Sequence, residues 1–142
     1  MMGILLLSFV LHFIADFLLQ SRDMGKNKSS KPLVLAQHVG IQISVVFFGL
    51  LPFVGLTKSA EISVLNGLIH GLIDWNIWRA YKHMVERRLY AAGPTGPRGD
   101  PAHLLWVNDS WQYWEDHWFY ATIGLDQLLH VSTLTVVIGA IL

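Results

Sequence analysis

Three histidine–aspartate pairs, each four residues apart, sit inside otherwise apolar segments of this chain: His12/Asp16, His70/Asp74 and Asp126/His130. That spacing places both members of a pair on one helix face, one turn apart. An ionisable group at the centre of a bilayer costs roughly 3 kcal/mol even on lenient insertion scales, so six of them demand a common purpose. The third pair is written in reverse, Asp before His. A helix running antiparallel to the first two needs that order to present the same groups at the same depth.

The surrounding composition suits a membrane. With 142 residues, 53% apolar and 14% charged, and a mean hydropathy of +0.44, the chain reads as one integral membrane domain. Its formal net charge of zero offers no basic field for nucleic acid. The absence of cysteine excludes disulfides, thiolate zinc sites and iron–sulfur clusters. A metal here must be held by imidazole and carboxylate, which suits Zn, with Mn or Fe next.

Four segments are long enough to cross about 30 Å of hydrocarbon: residues 2–20, 33–56, 61–79 and 119–142. The first lacks a basic leader and a small-residue cleavage site, and is read as a retained span. The third is the most polar, holding Asn66, His70, Asp74 and Asn76. After a turn-rich stretch, AAGPTGPRGDP at 91–101, residues 103–118 place Trp106, Trp111, Trp114 and Trp118 among acidic residues, as in a helix lying in the headgroup region. The expected fold is therefore all-α, a four-transmembrane-helix bundle with a Trp-rich interfacial helix before the last span.

Loop charge sets the orientation. Arg22, Lys26, Lys28 and Lys31 crowd the first connection, and Arg79, Lys82, Arg87, Arg88 and Arg98 the third, whereas the second holds Lys58 alone. The positive-inside rule puts the basic loops in the cytoplasm and both termini outside. In that frame Asp16, Asp74 and Asp126 form a layer about 6 Å below the cytoplasmic face, with His12, His70 and His130 about 12 Å deep. His38, in the second span, joins the shallow layer.

Three carboxylates gathered in low dielectric repel one another unless protonated or bridged by a cation, and neutral imidazoles beside them are metal ligands of the right kind. The expected set is His12, Asp16, His38, His70, Asp74, Asp126 and His130, holding one or two divalent ions. Asp126 is the candidate general base, and His38 a ligand or orienter in the same catalytic machinery. Gln20, Gln37 and Gln127 are taken as interhelical hydrogen-bonders, Ser8 and Asn66 as outer supports, and His83, His103 and His117 as solvated.

The segments HFIADFLLQ, HGLID and LDQLLH, with a lone histidine in the second span, resemble a family of small membrane proteins of bacteria and their phages that is defined only as a domain of unknown function. The resemblance covers all four spans; the Trp-rich insert and the Gly/Pro loop depart from it. More distantly the layout resembles the membrane-bound metal-dependent hydrolases. Those resemblances imply that the seven residues above are the functional set, in a bacterial inner (cytoplasmic) membrane; they supply no reaction. The expected activity is hydrolysis of a lipid or lipid-linked substrate, in a chain that can form homo-oligomers. Two alternatives stand beside it: a proton or divalent-metal relay, and a non-enzymatic phage or bacterial membrane factor, which needs no such cluster.

Overall fold

The fold is seen in a computed structural model that describes residues 2–91 and 116–142, with side chains from 89 to 91 left aside. All secondary structure among the described residues is helical. Helix α1 (Met2–Phe13) runs straight into a π-helical turn (Ile14–Leu18), followed by α2 (Arg22–Asn27), α3 (Pro32–Val54), α4 (Leu56–Ala91) and α5 (His117–Ile141). The turn-rich stretch and most of the proposed interfacial helix, 103–115, lie outside the described residues. Of the latter, Asp116 is the N-cap of α5, and His117 and Trp118 belong to its first turn.

Local chemistry accounts for the helix boundaries. The Ser21 hydroxyl accepts from the Met24 backbone N–H at 3.2 Å and starts α2; a Ser N-cap satisfies an otherwise orphaned amide. Pro32 opens α3, where its missing N–H costs nothing. Gly55, at φ 81, ends that helix in a backbone conformation that side-chain-bearing residues avoid. The Asp116 carboxylate caps α5 through the Trp118 N–H at 3.1 Å. It also receives the Arg88 guanidinium at 2.9 and 3.2 Å and the Tyr81 hydroxyl at 3.0 Å, tying α5 to the far end of α4.

Helix α4 packs between α3 and α5, and α1 lies on α3. The approach of α4 to α3 depends on Gly67 and Gly71. A Cβ at Gly71 would lie 2.8 Å from Val39 Cγ2, and one at Gly67 would collide with Ile43. One end of the bundle is closed by Val46, Leu50, Ile62, Leu134, Val137 and Ile138. A smaller cluster around Tyr81 and Val85 joins α4 to the start of α5.

By length and apolar composition two described helices can cross a membrane, α3 and α5. The first segment, Met2–Leu18, is apolar but shorter, and α4 is too polar to pass the same test. The expectation of four spans is thus corrected to two on this criterion. The physical cause lies in α4: residues 59, 63, 66, 70 and 74, all polar, are buried, whereas Leu65, Leu68 and Leu72 point outward. A window average adds the two faces together and loses the signal.

Candidate metal centre

The seven residues expected from the sequence all converge at one end of the bundle, and each is at most 3% exposed. Helix α1 and its π turn deliver His12 and Asp16, α3 delivers His38, α4 delivers His70 and Asp74, and α5 delivers Asp126 and His130. The π turn, closed by Leu19 N–H to Ile14 O at 2.9 Å, contains Asp16. Such turns insert one extra residue and re-aim a side chain.

His38 is the hub. Its Nε2 lies 3.1 Å from Asp16 Oδ1, 3.1 Å from Asp74 Oδ2 and 2.9 Å from His70 Nε2. His70 Nε2 is in turn 3.2 Å from Asp74 Oδ2 and 3.7 Å from Asp16 Oδ1. With metal–ligand bonds of about 2.0–2.2 Å, a tetrahedral site has edges of roughly 3.3–3.6 Å, so this quartet has the scale of a coordination shell. A second constellation, Asp16, Asp126 and His130, shares Asp16 with the first. His130 stacks on His70 with ring centroids 3.9 Å apart and stands 3.5 Å from Asp126 Oδ1.

His12 belongs to neither constellation. Gln42 Nε2 contacts its Nδ1 at 2.9 Å, and its Nε2 contacts Gln127 Oε1 at 3.3 Å. The Gln127 amide then donates to Asp16 Oδ2 at 2.8 Å and to Asp126 Oδ2 at 3.2 Å. Donors and acceptors along this chain agree if the His12 proton is on Nε2. Through this chain His12 is linked to Gln127, which brackets two of the carboxylates. The Nδ1 atoms of His38, His70 and His130, by contrast, are buried without a hydrogen-bond partner.

Sequence reasoning missed two residues of the site. Gln42 follows His38 by four, the same helical spacing as the pairs, and could have been found from it. Lys28 could not: it stands among basic loop residues with no periodicity. Expected in a basic loop that sets topology or holds an anionic headgroup, it is instead buried, 3% exposed. Its Nζ sits 2.7 Å from Asp74 Oδ1, 3.5 Å from Asp16 Oδ1 and 3.5 Å from His38 Nε2. Burial alone would lower its pKa; the Asp74 and Asp16 carboxylates outweigh burial and hold it above the ordinary lysine value. Of the remaining sequence candidates, Gln37 faces outward, and His83 and His117 are exposed. Ser8 donates to Ile4 O at 2.7 Å; Asn66 is buried and its amide nitrogen has no partner. His103 lies outside the described residues.

Comparison with known proteins adds a family. The profile of a family described as protein of unknown function (DUF3307) matches residues 4–142, nearly the whole chain. The chain belongs to the DUF3307 family. No curated protein and no solved structure shows a significant match. Membership of DUF3307 agrees with the resemblance drawn from the His/Asp segments, and the family description assigns no activity. What DUF3307 membership leaves open must be argued from the buried cluster, whose groups could hold a metal ion.

Proposed function

We propose that this chain is a membrane-embedded metal-binding protein that hydrolyses a lipid or lipid-linked substrate in the cytoplasmic half of a bacterial inner membrane. The observation that carries this reading is the quartet Asp16, His38, His70 and Asp74, four ligand atoms from three helical segments within 4.8 Å of one another. Around it the bundle is inside-out. Polar groups line the interior, while Leu6, Val10, Phe13, Phe48, Leu68, Leu72, Leu128 and Val136 face outward. Large exposed apolar surface joined to a buried polar core is the distribution lipid rather than water selects. The four-span arrangement, with both termini outside, belongs to this proposal.

Charge favours one ion over two. Three buried carboxylates against the Lys28 ammonium leave two negative charges when the imidazoles are neutral, and a single divalent cation cancels them. Asp16, His38, His70 and Asp74 would hold it, with Zn the first candidate. Such an ion supplies Lewis acidity and lowers the pKa of water to about 7. Asp126, fixed by Gln127 and outside the quartet, is positioned to take the proton from the attacking water. Gln127, donating to both, fixes the Asp16 and Asp126 carboxylates relative to each other.

Metal content of the purified full chain in mild detergent tests the reading, beside an Asp16→Ala/His70→Ala variant. One equivalent of Zn, Mn or Fe is expected in the wild type and none in the variant, with lipid-ester hydrolysis following the metal. A folded, monodisperse wild type that takes up no metal sinks the proposal.

One feature favours a second reading, a proton relay. Ser59, Ser63, Asn66, His70 and Asp74 form a buried polar stripe along α4, reaching further from the cluster than the sequence suggested. The apolar plug around Val46, Leu50 and Leu134 stands beside that stripe at the far end. Proton flux into liposomes containing the protein, abolished by Asn66→Leu, would favour the relay over hydrolysis.

A further inference from the structure

A recess of about 680 Å³ adjoins the metal centre, lined from the π turn, α2, the end of α4 and the start of α5. This volume lies in the range of small-molecule sites, about 300–1,000 Å³. Its inner edge is formed by Asp16, Asp126 and Gln127, which already belong to the centre. The remainder of its lining is mainly cationic, neutral polar and aromatic, with one further carboxylate, Glu86.

On the cationic side, Arg22, Lys26 and Lys82 line the recess. Lys82 is half-buried and has no carboxylate within ion-pair distance among the described residues. Its ammonium contacts only neutral oxygens: Lys26 O at 2.7 Å, Ser29 Oγ at 2.8 Å and Ser30 Oγ at 3.0 Å. Burial lowers its pKa, with Glu86 opposing only weakly. A partly desolvated ammonium whose hydrogen bonds all go to neutral oxygens keeps charge to offer an anion, Glu86 on the same lining acting on it without an ion pair, and the two hydroxyls that accept from it keep their own protons to donate. Lining the same space, the buried Trp78 Nε1 is a donor without a partner.

On the aromatic side stand Trp78, Tyr81 and Phe119 at 6.0 Å centroid separations, Trp78 and Tyr81 edge to face and Phe119 tilted against both. Phe17 continues this wall outward. It lines the recess yet is 46% exposed, and it stacks on Phe13, also exposed, at 5.2 Å. The recess is thereby continuous with the outer apolar face of α1, so an apolar chain can leave sideways along that face.

We infer that this recess receives the phosphorylated head of an amphiphile, its phosphate held by Lys82, Lys26, Arg22 and Ser30 and its apolar chain led out past Phe119 and Phe17. The assignment rests on the hydrolase reading for the role of the adjoining centre, but binding itself does not require that reading. A phosphate seated there places the neighbouring ester linkage beside Asp126 and the quartet.

The test measures binding of three probes to the full chain in a neutral detergent: a short-chain phosphatidic acid, the matching diacylglycerol and inorganic phosphate. Each is repeated with Lys82→Gln, Lys82→Arg and Trp78→Phe, with metal content followed in parallel. Phosphatidic acid should bind, with inorganic phosphate competing weakly and diacylglycerol not at all. Lys82→Gln should weaken it by about tenfold or more, as loss of a charge-assisted contact predicts. Lys82→Arg should restore most of the affinity, which a merely structural latch would not require of the charge, and Trp78→Phe should weaken binding severalfold. Equal binding of diacylglycerol overturns the phosphate assignment. Inorganic phosphate binding as tightly as phosphatidic acid overturns the amphiphile. Affinity unchanged in both Lys82→Gln and Trp78→Phe overturns the location. Phosphatidic acid binding by a metal-free wild type would remove the hydrolase reading and leave the recess standing; metal without phosphatidic acid binding would do the reverse.

Discussion

Lys28 changes what the cluster can hold. Without it, three buried carboxylates invite two divalent ions; with its Nζ 2.7 Å from Asp74, one ion completes neutrality. Replacing it by glutamine removes a unit positive charge a few ångströms from the quartet. At an effective dielectric constant of about 20 and a separation of about 4–5 Å, the repulsion between that charge and a divalent ion is roughly 7–8 kcal/mol, an upper bound that water and relaxation reduce. Lys28→Gln should therefore bind Zn on the order of tenfold or more tightly in a chelator competition, and its metal ratio should rise from one toward two. Its metal-free form should melt lower, because Asp74 loses its cation. A variant that loses metal instead would show that Lys28 supports the site rather than substituting for a cation. The paired residues were legible because a spacing of four has one meaning on a helix. His12 shows the limit of such spacing. It shares a face with Asp16 as expected, but its contacts with Gln42 and Gln127 at the two ring nitrogens could not be read from that spacing.

Among the elements, the helices themselves were readable from apolar runs, Pro32 and Gly55, while two of their features were not. The π turn at Ile14–Leu18 depends on one extra residue in a turn, which no apolar pattern encodes. Helix α4 runs to Ala91, well beyond the expected end near 79, because charged residues continue a helix as readily as apolar ones. The contact that brings His38 to His70 is made by α3 and α4, and it depends on small residues. Gly71→Val must push α4 away from Val39, at a cost of about 1–3 kcal/mol. A lower melting temperature in detergent and reduced metal uptake are expected together. Gly40→Ala on α3, where a Cβ meets nothing within 4 Å, is the control and should melt at or above wild type. Equal behaviour of the two variants would mean that close approach of these helices does not set the site.

For the whole molecule the deciding issue is how many times the chain crosses the bilayer. Hydropathy credits α3 and α5, yet the centre is assembled by groups from α1, α3, α4 and α5 alike, so these helices must share one environment. If α3 and α5 are in lipid, α4 between them cannot be in water. Its outward Leu65, Leu68 and Leu72 are suited to lipid, and its inward polar stripe never meets it. At 1.5 Å per residue the 36 residues of α4 extend about 54 Å, more than the roughly 30 Å hydrocarbon core. Its last turns, with Arg87 and Arg88, then project beyond the membrane on the side that carries α2. A chain without cysteine lets single cysteines report this directly. In intact bacterial cells, an impermeant maleimide should label Lys58→Cys, in the connection between α3 and α4. Arg87→Cys should be labelled only after the membrane is opened. Labelling of both in intact cells would place the two ends of α4 on one side and remove the four-span bundle. If neither is labelled until lysis, α4 does not cross, and the inside-out distribution must be covered by protein instead of lipid.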